Sequence, residues 1–272
     1  MNVDPNPDHT PRLLTLIQRT LTMRQEIRSE GKMMTRVGLL VPSVNTVVEP
    51  EFWRLVPATA TVHAARMRNS TCGVEDSLRM LAHAERAADE LGSANIDVLA
   101  FACTASSFIK GVDGEQQLRR QIEAAASTPA LTTSGAVVES LHTLGAEQIA
   151  LYTPYPDELN HRETQFLAEH GFETVSAHGL GIVDAVQIAT VTSQMLLELI
   201  ETHPPPSQST AIFLSCTNLA TFEVIRTIEH TYNVPVVSSN SATFVAVARH
   251  LKWPLPRSLG RISSTDSSKP FQ

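Results

Sequence analysis

The chain has 272 residues, 42% of them hydrophobic and 18% charged, enough to build a sizeable core as one α/β domain or two small ones. A net charge of -7 excludes a broad basic field for nucleic acid or an anionic membrane, and an aromatic content of 5% argues against a stacking platform for single strands. The short basic groups at Arg66, Arg68, Arg119 and Arg120 read as solvated surface charge, and no apolar run approaches the length of a membrane span.

Residues 1–34 are polar, lack the continuous apolar core of a secretory signal and read as an N-terminal extension. A helix is expected within Leu13–Ile27, and Met33 or Met34 is an alternative start. From there, short apolar runs alternate with helical patterns. Strands are predicted at Val37–Val41, Ala60–Ala65, Val98–Ala102, Ala130–Thr132, Ile149–Tyr152, Glu173–Ser176, Ala211–Leu214 and Pro235–Val237. Helices are predicted at Ser77–Leu91, Gln117–Ala126, Ala136–Leu144, Asp157–His170, Thr192–Ile200, Leu219–Tyr232 and Ala242–Leu251. This alternation implies an α/β fold with a doubly wound parallel sheet, or two of them.

A weak repeat favours two. Each half reads strand, proline, then a polar or aromatic turn (Pro42-Ser43-Val44-Asn45; Pro154-Tyr155), and each later gives a strand ending in Cys-Thr, at Cys103-Thr104 and Cys216-Thr217. Duplicated halves related by a pseudo-twofold axis would set both Cys-Thr turns at one cleft. The expected division is 35–130 plus 235–257 for the first half, 131–234 for the second and 258–272 for a tail.

The candidate chemistry lies at the carboxyl ends of strands, where ligands of open α/β sheets bind. Cys103 precedes small polar residues that open a helix, whose N–H groups attract anions and lower a thiol pKa. The same reasoning applies to Cys216, followed by Thr217 and Asn218. A free thiol is most often a buried core residue, but two matched strand–Cys–Thr turns weigh against that fate. Cys72, in Asn69-Ser70-Thr71-Cys72-Gly73, reads as a loop cysteine. Ser43, Asn45 and Thr46 after the first strand, and Thr104 after the third, offer neutral donors for a carboxylate, though such residues also close turns. Tyr155 at the matching place has a phenol able to donate to a carboxylate or enolate oxygen. Ser134 and the run Ser238-Ser239-Asn240 are either further donors or helix caps. The ten histidines are scattered without HxH or HExxH, so no metal is expected. Neither a dinucleotide nor an ATP fingerprint is present, nor a GxSxG elbow. Three cysteines without a close pair point to a reducing, cytoplasmic compartment.

With these residues in place, the chain resembles the aspartate/glutamate racemase superfamily, nearest its maleate cis–trans isomerase and arylmalonate decarboxylase branch. The matching pieces are Val41-Pro42-Ser43-Val44-Asn45-Thr46, Cys103-Thr104, Thr132-Thr133-Ser134-Gly135-Ala136, Thr153-Pro154-Tyr155 and Ser215-Cys216-Thr217-Asn218, spanning about residues 35–250. The resemblance implies two Rossmann-like halves with the site between them, no cofactor, and a small carboxylate substrate. It also implies that Cys103 is the nucleophile, Cys216 the partner acid/base, and Asn45 and Tyr155 substrate-carboxylate contacts. Arylmalonate decarboxylases carry glycine at the first cysteine, so Cys103 argues against that chemistry. One departure stands out: isomerase-like relatives tend to carry asparagine where this chain has Ala185, which removes a substrate-amide contact.

The leading expectation is a cofactor-independent isomerase, cis–trans isomerase or racemase, acting on a small dicarboxylic acid or amino-acid derivative. An arylmalonate-type decarboxylase using Cys216 alone and a non-catalytic small-acid binding protein are the alternatives, and a homodimer is left open.

Overall fold

The computed structural model describes residues 34–264. The helix expected within 13–27, the bulk of the N-terminal extension and residues 265–272 lie outside the described residues. The eight strands are β1 (Thr35–Pro42), β2 (Ala60–Met67), β3 (Val98–Phe101), β4 (Ala130–Thr132), β5 (Gln148–Thr153), β6 (Glu173–Gly179), β7 (Ala211–Leu214) and β8 (Val236–Ser238). They form two four-stranded parallel sheets, ordered β2-β1-β3-β4 and β6-β5-β7-β8. The second order is the first shifted by four strands, so the two sheets repeat one topology and Cys103 and Cys216 follow equivalent strands.

The central strands are apolar on both faces because both are covered. In β1, Val37, Leu39 and Val41 enter one core while Leu40 enters another, and in β3 Val98 and Ala100 part company with Leu99 and Phe101 in the same way. The smaller core packs Leu40, Leu99 and Phe101 under helices Ala84–Gly92 and Gly111–Ala126. These helices approach so closely that a Cβ on Gly92 would stand 2.5 Å from the Ala126 carbonyl oxygen. Edge strand β6 is polar and largely open, as its sequence Glu-Thr-Val-Ser-Ala-His-Gly allows. Among the described residues, no helix is long and apolar enough to cross a membrane.

Four differences from the sequence expectation have physical causes. The helix expected at Ser77–Leu91 is two, Val74–Leu81 and Ala84–Gly92, because the peptide N–H groups of Ala82 and His83 close tight bonds to Arg79 and Met80 and redirect the chain. The helix expected from Leu219 starts only at Ile225, since the N–H groups of Thr221 and Phe222 are held by the Glu51 carboxylate. The division into halves also differs. β8 pairs with β7 in the second sheet, whereas 235–257 was expected in the first half; only helix Ser239–His250 crosses back, to pack on β3, β4 and helix Thr133–Thr143. Finally, the expected tail begins as two short 3-10 turns within Arg257–Ser264, broken by a kink at Gly260, that bury Leu259 and Ile262.

Candidate active site

Cys103 leaves the end of β3 in extended conformation and caps the short helix Thr104–Phe108. The peptide N–H groups of Ala105 and Ser106 point at its sulfur. Burial pushes the thiol pKa up, and these donors only partly offset it. The expectation of a thiol lowered towards neutrality is therefore not met, because desolvation of the thiolate outweighs the helix N–H groups.

Cys216 follows β7 at φ 110°, a conformation costly for a residue with a Cβ. Its surroundings hold it there: its N–H donates to Ser239 Oγ at 2.9 Å, and the same hydroxyl accepts from Thr104 Oγ1 at 2.8 Å, tying the two Cys-Thr turns together. Burial pushes the Cys216 thiol up to about 12, against a hydrogen bond from the Tyr155 phenol and one from the Asn218 N–H. Tyr155, only 2% exposed, is itself raised well above its usual range by burial and then by the neighbouring Cys216 and Glu163, so it remains a neutral donor.

Both thiols line one cleft of about 410 Å³, part of which opens to solvent. Asn45, Thr104, Tyr155, Thr217 and Asn218 line it too, and among the described residues no Lys, Arg or His does. Several of these side chains also join the halves. Asn45 Oδ1 accepts from the N–H groups of Val47 and Val48, while its Nδ2 donates to Thr217 Oγ1 at 3.0 Å. Thr217 Oγ1 in turn donates to the Ala102 carbonyl at 2.9 Å. Asn218 accepts from the Thr46 N–H and donates to the Ala185 carbonyl. Asn45 and Asn218 each keep one amide hydrogen uncommitted among the described residues. Ser43 is placed differently. Its hydroxyl both donates to and accepts from the Asn69 backbone at 3.1 Å, and it is not among the cleft-lining residues.

Sequence reasoning missed three features. Cys72 is in a loop as expected, but it lines the cleft. Its N–H donates to the Val183 carbonyl at 2.7 Å, and the Ala185 N–H donates to Ser70, so residues 70–72 and 183–185 clasp the two halves across the cleft mouth. Burial, then the other two thiols, push its pKa up. Ser106 Oγ lies near the Cys103 sulfur, favouring its anion, and makes no other hydrogen bond among the described residues. Ala185, whose side chain is the expected departure, sits on the cleft wall beside Ile188. Among the described residues, no group of three or more His, Cys, Asp or Glu side chains could hold a metal ion.

The sequence pattern of arylmalonate decarboxylase matches residues 37–262, which takes in both sheets and both thiols. The chain belongs to the arylmalonate decarboxylase family. Relatives with two different activities share it. A maleate isomerase of Pseudomonas putida is 28% identical over 79% of this chain and 91% of its own length. An arylmalonate decarboxylase of Bordetella bronchiseptica is 29% identical over 76% of this chain and 87% of its own. Among solved structures, the maleate isomerase of Pseudomonas putida S16, as a cysteine-to-alanine variant with maleate, superposes with a TM-score of 0.77 at 28% identity, covering 84% of this chain and 97% of that one.

Proposed function

We propose that the chain is a cis–trans isomerase of a small cis-enedioic acid of the maleate type or a close derivative, with Cys103 as nucleophile and Cys216 as acid/base. The observation that carries this reading is the pair of thiols, one from each of two equivalent strands, on the walls of one cation-free cleft. The Cys103 thiolate adds to one alkene carbon. A carbon–sulfur bond forms as the π bond breaks, and the electron pair passes to the other carbon and its carboxylate as an enediolate. Cys216 supplies a proton there, leaving a single bond free to rotate. Return of that proton to Cys216 and expulsion of the Cys103 thiolate give the trans acid. The enediolate oxygens need donors; Ser106, Asn45 and Asn218 on the cleft wall carry a hydroxyl and spare amide hydrogens that would provide them, and the Tyr155 phenol would have to turn to them from the Cys216 sulfur. No cofactor enters these steps. Alanine at 185 leaves one end of the cleft less polar than a symmetric diacid would require, which favours a substrate with one modified acid group.

The decarboxylase of the same family supports a second reading, in which Cys216 alone delivers a proton after loss of carbon dioxide. NMR of the purified protein in D2O with maleate, maleate derivatives, arylmalonates and amino acids separates the readings by product: trans isomer, decarboxylated acid, or α-deuteration from racemisation. Cys103→Ser should lower isomerisation by on the order of 10^4-fold, as loss of a nucleophile does. Full activity in that variant would rule out the isomerase, and carbon dioxide release from it would establish the decarboxylase.

A further inference from the structure

Behind the wall of the cleft lies a second, smaller space, lined by Thr104, Phe108, Ser134, Phe166, Phe213 and Glu163. Thr104 belongs to both walls. Glu163 comes from helix Asp157–Glu169 and is only 1% exposed. Its Oε1 accepts the Ser215 hydroxyl at 2.6 Å, and its Oε2 has no hydrogen-bond partner among the described residues. Ser215 immediately precedes Cys216, and its own N–H is fixed to the Tyr152 carbonyl at 2.9 Å. A buried carboxyl group is thus one hydrogen bond and one peptide unit from the thiol held at φ 110°.

An isolated carboxylate in such a place is costly, and nothing neutralises it. Only the Ser215 hydroxyl opposes its burial; no Lys, Arg or His contributes. The titratable groups that feel its charge are Tyr155 and Cys216, both on the cleft. The other elements packed around it present Thr104, Phe108, Ser134, Val137 and Phe213, none of which ionises.

We propose that Glu163 is a positioning residue that works as an uncharged carboxylic acid, fixing the Ser215-Cys216 turn while keeping negative charge away from a cleft that must accept an anion. This rests on the reading of Cys216 as the acid/base. Its ionisation at high pH has a defined consequence. The new charge repels the anionic substrate and disfavours the Cys216 thiolate, so KM rises while bound substrate still turns over. Burial pushes the Glu163 carboxyl up to about 8, which sets where this limb falls.

The test compares wild type and Glu163→Gln, which is neutral at every pH and keeps an oxygen for Ser215. With maleate as substrate, KM of the wild type should rise about tenfold from pH 7 to pH 9.5 while KM of the variant stays flat. A second readout needs no turnover: iodoacetamide alkylation of Cys216, followed by peptide mass spectrometry. The two proteins should react alike below pH 7, and the variant about tenfold faster above pH 9. If maleate proves not to be a substrate, this second readout still decides the role of Glu163. Ser215→Ala supplies an independent direction. It removes the only group that favours the Glu163 anion, so the alkaline limb should move up by about one pH unit. Identical pH profiles in wild type and Glu163→Gln, a uniform loss at all pH values, or an unmoved limb in Ser215→Ala would each overturn the proposal.

Discussion

Glu51 makes the sharpest test of how the two halves are joined. It sits in helix Val48–Trp53, is 4% exposed, and reaches out of the first half into the second. Its Oε1 accepts the N–H groups of Thr221 and Phe222 at 2.9 and 3.0 Å, and its Oε2 accepts Asn240 Nδ2 at 2.6 Å. Asn240 Nδ2 also donates to the Thr217 carbonyl at 3.1 Å, so the carboxyl braces the turn after Cys216. Glu51→Ala leaves two buried donors and one part-buried donor without this acceptor, at roughly 1–3 kcal/mol for each buried one. Against this stands the relief of not burying a carboxylate, whose pKa is pushed up by burial despite these donors. The net destabilisation expected is about 3 kcal/mol, in the range found when one partner of a buried polar pair is removed. Glu51→Gln retains a carbonyl oxygen for the two peptide groups and loses only the Asn240 contact, so it should cost about 1 kcal/mol. Urea unfolding at pH 7 measures both, with the slope checked for a constant two-state transition. An alanine variant within 1 kcal/mol of wild type, or alanine and glutamine variants of equal stability, would refute the assignment of these bonds as the brace.

The clasp and the third thiol give two further expectations. Asp76 accepts the N–H groups of Ser70 and Thr71 at 2.7 and 2.6 Å; burial pushes its carboxyl up, but these donors and Arg79 outweigh it and hold the pKa at about 2 rather than 3.8. A lowered folded-state value stabilises above the unfolded pKa and is lost as pH falls through about 2, so Asp76→Asn should cost about 2 kcal/mol at pH 7 and converge with wild type below pH 2 in urea titrations. Cys72, with its pKa pushed up by burial, should react with iodoacetamide at pH 7 at least about tenfold more slowly than a free cysteine, and Cys72→Ala should retain isomerisation within about fivefold. Fast labelling of Cys72, or an inactive but folded Cys72→Ala, would contradict its place as a wall residue.

The central strands were legible because burial on both faces writes them as short unbroken apolar runs; the edge strands β2 and β6 are more polar, and all eight predicted runs overlap observed strands. The pairing of β8 was not legible: three residues carry no mark of the sheet they join, and the helix that follows does return to the first sheet. Cys103 and Cys216 were found by their repeated position after a strand. Cys72 follows no strand, and it reaches the cleft only through pairing with residues more than a hundred positions away. Glu51 left no signal at all, since its partners are two backbone groups of a distant irregular segment and a side chain of the still more distant helix Ser239–His250. Glu163 did leave one. Leu159, Glu163, Phe166 and Leu167 share a helical face, and the three apolar members are buried, so an acid in that stripe was a core carboxyl visible in the sequence.

The repeat of the sheets does not extend to the chemistry of the two thiols, and the difference follows from what comes after each strand. Beyond β3 the chain turns at once into a helix, so peptide N–H groups meet the Cys103 sulfur and favour its anion. Beyond β7 no helix starts; the chain turns at a strained φ, and the Cys216 sulfur faces a phenol and one N–H in a drier setting that keeps it protonated. The proposed addition–elimination route draws on this inequality: more donors offset the burial of the Cys103 sulfur, while Cys216 holds a proton to give. The two sheets set equivalent positions at one cleft, and the turns after them are unequal, with Glu163 hydrogen-bonded to the residue that precedes the second thiol.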